Sequence, residues 1–309
     1  MYTAETWPIA AKMNFPARDA QGRHVNDAPV SVWADQIRQV ADMGYKYIDP
    51  IDDWIQLADI SDERFAEFCG LLDEFDVKVP AISFGRRSPI DDKNGQAHVE
   101  SMHRMLDRGR ELGAKIVNIG FMQALTPEQE KALWFWHVDG HKDDPTKRDL
   151  ALERIRELGD HALRNDMEIS LEIYEDTFLG SARDAVQFIE DCGPQGLGIN
   201  PDFGNLIRLH REIDPWQESF DLVMPYINFW HIKNYMRDFD PATGAYFSFP
   251  VPLEDGLIDY RMIIRQAVAS GYRGVFQTEH YGGDWLSVGA KNMAFIRGVL
   301  RNAMYLIEE

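Results

Sequence analysis

Short apolar runs alternate along the chain with polar loops and with segments whose apolar residues recur at helical spacing. Each run is long enough for one buried strand of a parallel sheet. Eight such runs occur: Ile9–Phe15, Tyr45–Ile51, Val77–Phe84, Lys115–Phe121, Glu168–Tyr174, Gly196–Asn200, Ile227–Lys233 and Gly274–Glu279. Eight strand–helix units in 309 residues predict an α/β fold, a single (β/α)8 TIM barrel.

The segments between the runs agree with this prediction. Ser61-Asp62-Glu63 and Thr126-Pro127-Glu128-Gln129 have the residue types of helix starts. No linker-like segment divides the chain, so we expect one domain over residues 1–309. Two connections are unusually long, Met122–Arg148 after the fourth strand and Tyr235–Leu257 after the seventh. Loops that follow barrel strands lie on the catalytic face, so these two are predicted lids or substrate walls.

Composition narrows the classes of function. Lys and Arg total 32 and Asp and Glu total 51, which gives a net charge of −19. So acidic a chain repels phosphate backbones, and we expect no nucleic-acid partner. The sequence has no basic segment leading into an apolar one at its start, and no stretch apolar enough to span a bilayer. We therefore expect a soluble, cytoplasmic protein without a membrane partner.

Polar residues interrupt the last four predicted strands near their carboxyl ends. Each strand offers one residue of a type that binds metal ions: Glu172, Asp202, His231 and Glu279. Their separations of 30, 29 and 48 residues each correspond to one strand–helix unit. Neighbouring strand ends meet on the rim of a barrel, so we expect the four side chains to converge. Taken singly, each carboxylate is as typical of a helix cap or an ion pair as of a metal ligand. The histidine is as typical of a hydrogen-bonded core residue as of a metal ligand.

Together the four residues predict a metal site. Three carboxylates buried beside one imidazole would repel one another strongly, and a divalent cation removes that conflict. The oxygen-rich set favours Mn²⁺, with Mg²⁺, Co²⁺ or Zn²⁺ as alternatives. A cation that holds a substrate carbonyl and an adjacent hydroxyl stabilises an enediolate. Epimerisation, isomerisation and elimination all remain open outcomes of that chemistry.

The chain resembles a known family. The ligand order Glu, Asp, His, Glu, the HIK tripeptide at His231–Lys233 and the VPLEDGLIDY stretch are similar to the sugar phosphate isomerase/epimerase family of xylose isomerase-like TIM barrels. The resemblance implies that Glu172 and Glu279 exchange substrate protons from opposite faces while all four residues hold the metal. It also implies that Arg237 approaches a substrate oxygen. Two positions depart from the family pattern, with Asn205 and Asn234 in place of the usual His and Asp.

Further residues are candidates for substrate contact. Trp134–His141 places three aromatic residues beside two histidines, and we select His137 as an additional acid or base; a loop packed on the rim with surface histidines is the alternative. The remaining candidate substrate-binding residues are Lys12, Trp136, His141, Asn205 and His280.

Several functions remain to be compared. We expect a metal-dependent sugar isomerase or epimerase that acts on a small carbohydrate and forms homo-oligomers. The catalytic subunit of C-glycoside deglycosidases also resembles this family. These enzymes are lyases that bind Mn²⁺, cleave 3-keto glycosides and pair with a β-rich subunit, and the aromatic loops are compatible with such a substrate. An apurinic endonuclease-like phosphodiesterase is disfavoured by the acidic charge and the single ligand set. A non-catalytic interaction subunit is disfavoured because the ligand set is intact.

Overall fold

Short parallel strands form the centre of the molecule. The computed structural model describes residues 2–19 and 21–308. Within these residues the strands are β1 (Ile9–Lys12), β2 (Tyr47–Asp49), β3 (Ala81–Ser83), β4 (Ile116–Ile119), β5 (Glu168–Glu172), β6 (Leu197–Asn200), β7 (Phe229–Ile232), β8 (Asn234–Asp240), β9 (Ala245–Val251) and β10 (Val275–Thr278). All but β8 and β9 belong to the barrel.

The barrel consists of two four-stranded parallel sheets joined at two seams. The strand orders are β2-β1-β10-β7 and β3-β4-β5-β6. A parallel bridge between Tyr47 and Lys78 joins β2 to the start of the β3 segment, and one between Ile199 and Ile227 joins β6 to the β7 segment. Eight strands therefore close on themselves within the described part of the chain. The predicted α/β TIM barrel is confirmed.

Helices surround the strands. They are α1 (Val30–Asp42), α2 (Asp62–Glu74), α3 (Gly95–Leu112), α4 (Pro127–Lys131), α5 (Arg148–Arg164), α6 (Ala182–Cys192), α7 (Gly204–Ile207), α8 (Trp216–Val223), α9 (Tyr260–Ala269) and α10 (Trp285–Glu308). The predicted starts are correct: the Ser61 hydroxyl accepts from the Arg64 amide, and Thr126 forms a reciprocal capping box with Gln129. No helix among the described residues is long and apolar enough to cross a membrane.

The segment after the seventh strand, which we expected to be a long loop, contains a β-hairpin. Strands β8 and β9 pair antiparallel from Asn234 opposite Val251 to Asp240 opposite Ala245. The turn between them ends at Gly244, whose φ of 73° is readily adopted only by glycine. Aromatic residues alternating with polar ones favour strands, and this alternation is the signal for the hairpin. The segment after β4, in contrast, contains α4 and two short 3₁₀ turns, Phe135–His137 and Pro145–Lys147.

Candidate metal centre

The four predicted metal ligands meet inside the carboxyl end of the barrel. Glu172 ends β5, His231 lies in β7, Asp202 follows β6 by two residues, and Glu279 directly follows β10. All four are buried. The Nδ1 atom of His231 lies 3.4 Å from Glu172 Oε2, 3.7 Å from Asp202 Oδ2 and 3.8 Å from Glu279 Oε2. Three carboxylates from three strands therefore face one imidazole nitrogen.

The other side of the imidazole is fixed by hydrogen bonds. Ser83 Oγ lies 3.1 Å from His231 Nε2 and donates its own hydrogen to Asp49 Oδ2. Asp49 also accepts from the Ser83 amide and from the Gln277 side chain. Since the Ser83 hydroxyl donates to Asp49, it accepts from Nε2–H of His231. The Nδ1 lone pair is thereby directed at the three carboxylates, which is the orientation that a metal ligand requires.

Lysines neutralise part of the negative charge. Lys233 Nζ bonds Asp202 Oδ2 at 2.6 Å and Glu279 Oε2 at 2.8 Å, and Lys12 Nζ bonds Glu279 Oε1 at 2.5 Å. Burial by itself raises the pKa of Glu279, but the two ammonium groups outweigh burial and hold this pKa well below its usual value. Glu279 is therefore ionised at neutral pH. The family motif HIK thus supplies a cation for Asp202 and Glu279.

Glu172 and His231 influence each other. Burial raises the pKa of Glu172, but the nearby His231 outweighs burial and lowers this pKa to about 2. Burial lowers the pKa of His231, yet the Glu172 carboxylate outweighs burial and raises it to about 9. In the metal-free chain the carboxylate is ionised and the imidazole takes up a proton at neutral pH. A proton and a metal ion therefore compete for the same nitrogen.

Amide side chains hold the Glu172 carboxylate in place. Asn118 Nδ2 donates to Glu172 Oε2 at 2.7 Å, and Asn205 Nδ2 donates to Glu172 Oε1 at 3.1 Å. Asn200 donates to Asn118 and accepts from the backbone amide of His231. Sequence reasoning selected only Asn205 from this network. The signal for the others was present, because each is a polar residue in the carboxyl-terminal half of an apolar strand.

The donor set fits a divalent cation. Among the described residues, the buried atoms His231 Nδ1 and Asp202 Oδ1 have no hydrogen-bond partner. One ligand atom from each of Glu172, Asp202 and His231 lies within 4.8 Å of the others. Ligand atoms about 2.1 Å from one ion lie roughly 3–4 Å apart, which matches the separations around Nδ1. Glu279 Oε2 can complete the set, because it lies at a similar distance from the same nitrogen.

A small cavity opens beside these residues. Its volume is about 30 Å³, far below the roughly 300–1,000 Å³ of ordinary ligand pockets. Its walls include Glu172, Asn205, His231, Glu279, Lys12, Arg86, Met122, Tyr174 and Tyr281. Two of the predicted substrate-binding residues, Lys12 and Asn205, thus lie at the cavity, where they also hold the glutamates. A ligand of sugar size requires the residues of the outer wall to move.

Two predicted residues of the segment after β4 lie outside the cavity wall. His137 Nε2 contacts the Ser248 carbonyl at 3.2 Å, and its ring packs edge-on against Phe247 and Phe249 of the hairpin. Trp136 is buried and donates from Nε1 to Ser248 Oγ at 2.9 Å. The ring of Trp136 packs against Tyr281, which does line the cavity. The structure therefore places Trp136 behind the wall and His137 farther out, against the hairpin.

The remaining predicted substrate contacts are not brought to the cavity either. Arg237 donates to the carbonyls of Ile207, Leu209 and Arg211, and its guanidinium stacks 4.2 Å from the centre of the Tyr246 ring. In this structure these carbonyls occupy its donors away from the predicted metal ligands, and its contact with a substrate stays a prediction. His141 is exposed. His280 is buried in an adjacent cavity with Phe15 and Trp285.

Sequence reasoning also missed a buried ion pair behind the cavity. Arg208 Nη2 bonds both oxygens of Glu175, at 2.9 and 3.0 Å, and the arginine is fully buried. Its guanidinium lies 4.8–6.0 Å from the ring centres of Phe135, Trp136, Tyr174 and Tyr281. Aromatic faces stabilise a cation that has left water. Arg208 therefore links the segment after β4 to the cavity wall, a contact that has no signal in sequence spacing.

The fold and this site define a class of protein, a TIM barrel with carboxylate and imidazole ligands at the carboxyl ends of its strands. Residues 37–298 match the family model described as xylose isomerase-like TIM barrel, and the chain belongs to that family. The resemblance recognised from the sequence is confirmed. No curated protein matches the chain at a significant level.

Solved structures support the assignment. A xylose isomerase-like TIM barrel protein from Mycobacterium smegmatis, in complex with magnesium, is 53% identical over 98% of this chain and all of that chain, with a TM-score of 0.96. An L-ribulose 3-epimerase is 18% identical, covers 98% of this chain and 97% of its own, and has a TM-score of 0.68. A 3-keto-D-glucoside 4-epimerase from E. coli is 15% identical, with coverages of 94% and 99% and a TM-score of 0.63. The two epimerases share the fold.

Proposed function

We propose that the protein is a divalent-metal-dependent sugar isomerase or epimerase that removes and returns a proton on the carbon next to a carbonyl. The observation that carries the proposal is the convergence of Glu172, Asp202 and Glu279 on Nδ1 of His231. The activities printed for two structural neighbours, an L-ribulose 3-epimerase and a 3-keto-D-glucoside 4-epimerase, support the substrate class. The substrate is accordingly a small ketose or keto-sugar.

Glu172, Asp202, His231 and Glu279 would hold the metal. When bound, the cation acts as a Lewis acid that makes the hydrogen beside a substrate carbonyl more acidic. Mn²⁺ fits the oxygen-rich set best, with Mg²⁺, Co²⁺ and Zn²⁺ as alternatives. The M. smegmatis relative was crystallised with magnesium, which supports a hard divalent cation.

The two glutamates are the proton carriers in this proposal. Glu172 is held by two amide donors and Glu279 by two lysines, so both carboxylates have fixed positions at the cavity. Both have a lowered pKa, so both are ionised at neutral pH, which is the protonation state that a base must have. They end or follow different strands, β5 and β10, and approach the cavity from different directions. Removal by one carboxylate and return by the other inverts a carbon centre.

Substrate entry requires the outer wall to move. Arg86, Met122 and Tyr281 line the 30 Å³ cavity and lie beyond the carboxyl ends of β3, β4 and β10. Segments in these positions are the ones that rearrange most readily in a barrel, because the strands below them are held by the sheet. We propose that these three side chains swing outward to admit the sugar and then exclude water from it.

The experiment that tests the proposal combines elemental analysis with deuterium exchange. The purified protein is incubated in D₂O with ketoses, 3-keto O-glycosides and 3-keto C-glycosides, and deuterium in each recovered sugar is measured. We expect about one divalent ion per chain and deuterium at one carbon next to the carbonyl. The Glu172→Gln variant should exchange at least about 10²-fold more slowly.

A matched control comes from the same strand. Glu168 begins β5 at the opposite end of the barrel, and its side chain is exposed and accepts from Asn228. Glu168→Gln should exchange at the wild-type rate. A wild-type protein without bound metal, or a Glu172→Gln variant with unchanged exchange, would refute the assignment of the site.

The same panel tests the lyase alternative, a C-glycoside deglycosidase with a β-rich partner subunit. One observation favours a partner: Met236, Phe247 and Phe249 are exposed together on one face of the hairpin. Cleavage of a 3-keto C-glycoside, and not exchange alone, would favour the lyase. Light scattering on the purified chain would separate a homo-oligomer from a monomer that needs another subunit.

A further inference from the structure

Two histidines face each other on the outside of the barrel, far along the chain from the predicted ligands. His103 lies on α3 and His161 on α5, and their Nδ1 atoms are 2.7 Å apart. Their side chains are 24% and 16% exposed, so solvent ions can reach them. The pair belongs to none of the machinery described above.

Each ring is also bonded to a carboxylate on its far side. His103 Nε2 lies 3.0 Å from Glu157 Oε1, and His161 Nε2 lies 3.0 Å from Asp107 Oδ1. Carboxylate oxygens accept hydrogen bonds and do not donate them, so both Nε2 atoms carry the hydrogen. A neutral imidazole has one N–H, which leaves a lone pair on each Nδ1. The two acceptor nitrogens are 2.7 Å apart, and a proton or a metal ion between them would remove their repulsion.

We propose that His103 and His161 form a second metal site, selective for Zn²⁺ and similar imidazole-binding cations. Imidazole nitrogen suits Zn²⁺, Cu²⁺ and Ni²⁺, whereas Mg²⁺ prefers oxygen. The carboxylate–histidine arrangement on both rings is the outer-shell pattern that orients histidine ligands toward a metal. Two Zn–N bonds of roughly 2.05 Å in a tetrahedral site place the nitrogens about 3.3 Å apart. Rotation of the two rings that moves the nitrogens apart by a fraction of an ångström opens that space. Water completes the coordination.

The site would join two neighbouring helices. α3 and α5 pack side by side, and Asn165 extends the contact by donating to Asp107 at 3.1 Å. A cation held by one ligand from each helix stabilises the folded chain, because the unfolded chain does not bring the two imidazoles together. We therefore expect Zn²⁺ bound between His103 and His161 to raise the thermal stability. A cation bound in the barrel does not join these two helices.

The test counts zinc sites on the full-length chain with a chromophoric chelator and follows the melting temperature. The wild type should bind two Zn²⁺ per chain, since the barrel ligands also accept Zn²⁺. His103→Gln and His161→Gln should each bind one and lose the part of the zinc-induced stabilisation that belongs to the pair. Glu157→Gln should weaken the second site about 10–100-fold, as expected for loss of an outer-shell partner.

The matched control is another histidine of the same helix. His98 on α3 bonds the Ser88 carbonyl through Nδ1, so His98→Gln should keep both zinc ions. His231→Ala should lose the barrel ion and keep the one that responds to His103→Gln. A His103→Gln variant that binds as much zinc as the wild type with the same affinity would overturn the proposal. So would a wild type whose zinc is lost entirely in His231→Ala, which would mean that the two rings share only a proton.

Discussion

The two ends of the barrel interior are built from the same strands but have opposite chemistry. The amino-terminal layer is an apolar cluster of Ala10, Ala81, Ile116, Phe229 and Val275. Two residues further along the same strands lie the members of the carboxyl-terminal layer, Lys12, Ser83, Asn118, His231 and Gln277. Residues i and i+2 of a strand face the same side. On each of these strands the inward-facing residue is therefore apolar in one layer and polar in the next layer toward the carboxyl end.

The difference shows what polar residues inside a barrel require. In the apolar layer a residue needs only to fill space. In the polar layer most groups need a partner, and the structure supplies one: Asp49 for Ser83, Glu172 for Asn118, and Glu279 for Lys12. Nδ1 of His231 is left without a hydrogen bond among the described residues, at the point where three carboxylates meet. The polar layer therefore leaves a place at Nδ1 for a proton or a metal ion, while the apolar layer needs neither.

Removal of the His231 imidazole should have the largest effect. We expect His231→Ala to lose bound metal and at least about 10³-fold of activity, since the variant lacks the nitrogen around which the ligands converge. The barrel should remain folded, because the histidine packs above an intact apolar layer. Metal per chain and exchange rate measure the loss, and circular dichroism checks the fold. A variant with normal metal content and normal exchange would show that the polar layer has another purpose.

A change in the apolar layer should have the reverse effect. Ile116 is 6% exposed in β4, and Ile116→Ala removes buried apolar atoms. We expect the free energy of unfolding to fall by about 2–4 kcal/mol, while metal per folded chain stays at the wild-type value. Urea denaturation followed by elemental analysis of the native protein measures both quantities. Loss of metal at unchanged stability would contradict the division between the layers.

The sequence predicted the polar layer better than the loops above it. Glu172, Asp202, His231 and Glu279 could be selected because the strand pattern fixes which positions face inward, and the barrel then places neighbouring strand ends together. His137 lies in a long segment where no period constrains side-chain direction. Arg237 lies in the β8–β9 hairpin, where the strand period fixes its face but not what that face contacts. There tertiary contacts decide: carbonyls of 207–211 attract the arginine, and the hairpin surrounds the histidine. The His103–His161 contact joins two helices, and neither sequence segment signals it.

Removal of the Ser83 hydroxyl, which orients His231, should have a smaller effect on the metal site. Ser83→Ala leaves His231 Nε2 and Asp49 without their shared partner, so we expect metal affinity to fall about 10–100-fold. Ser170 is the matched control on β5, because its buried hydroxyl has no partner among the described residues. Ser170→Ala should leave metal affinity unchanged. Titration with Mn²⁺ measures the metal affinity of the two alanine variants. Equal affinities would show that the Ser83 hydroxyl does not support metal binding.

The smallest effect is expected from a carboxyl group on the rim that has no lysine bonded to it. Burial raises the pKa of Asp143 to about 6, although the Phe178 amide bonds its side chain. The folded state therefore binds this proton more tightly than the unfolded state, and stability falls as pH rises from about 4 to about 6. Asp143→Asn should reduce that fall by about 1–2 kcal/mol in urea denaturation at the two ends of the range.

The adjacent Asp144 should respond in the opposite direction. The Thr146 amide and hydroxyl lower its pKa, so its contribution to stability is present above the unfolded pKa and is lost on acidification. Asp144→Asn should therefore make the protein less sensitive to acid, while Asp143→Asn makes it less sensitive to the rise toward neutral pH. If both variants shifted the pH profile in the same direction, the raised pKa of Asp143 would be wrong. Asp143 would then resemble Glu279, whose two bonded lysines keep it ionised although it is buried.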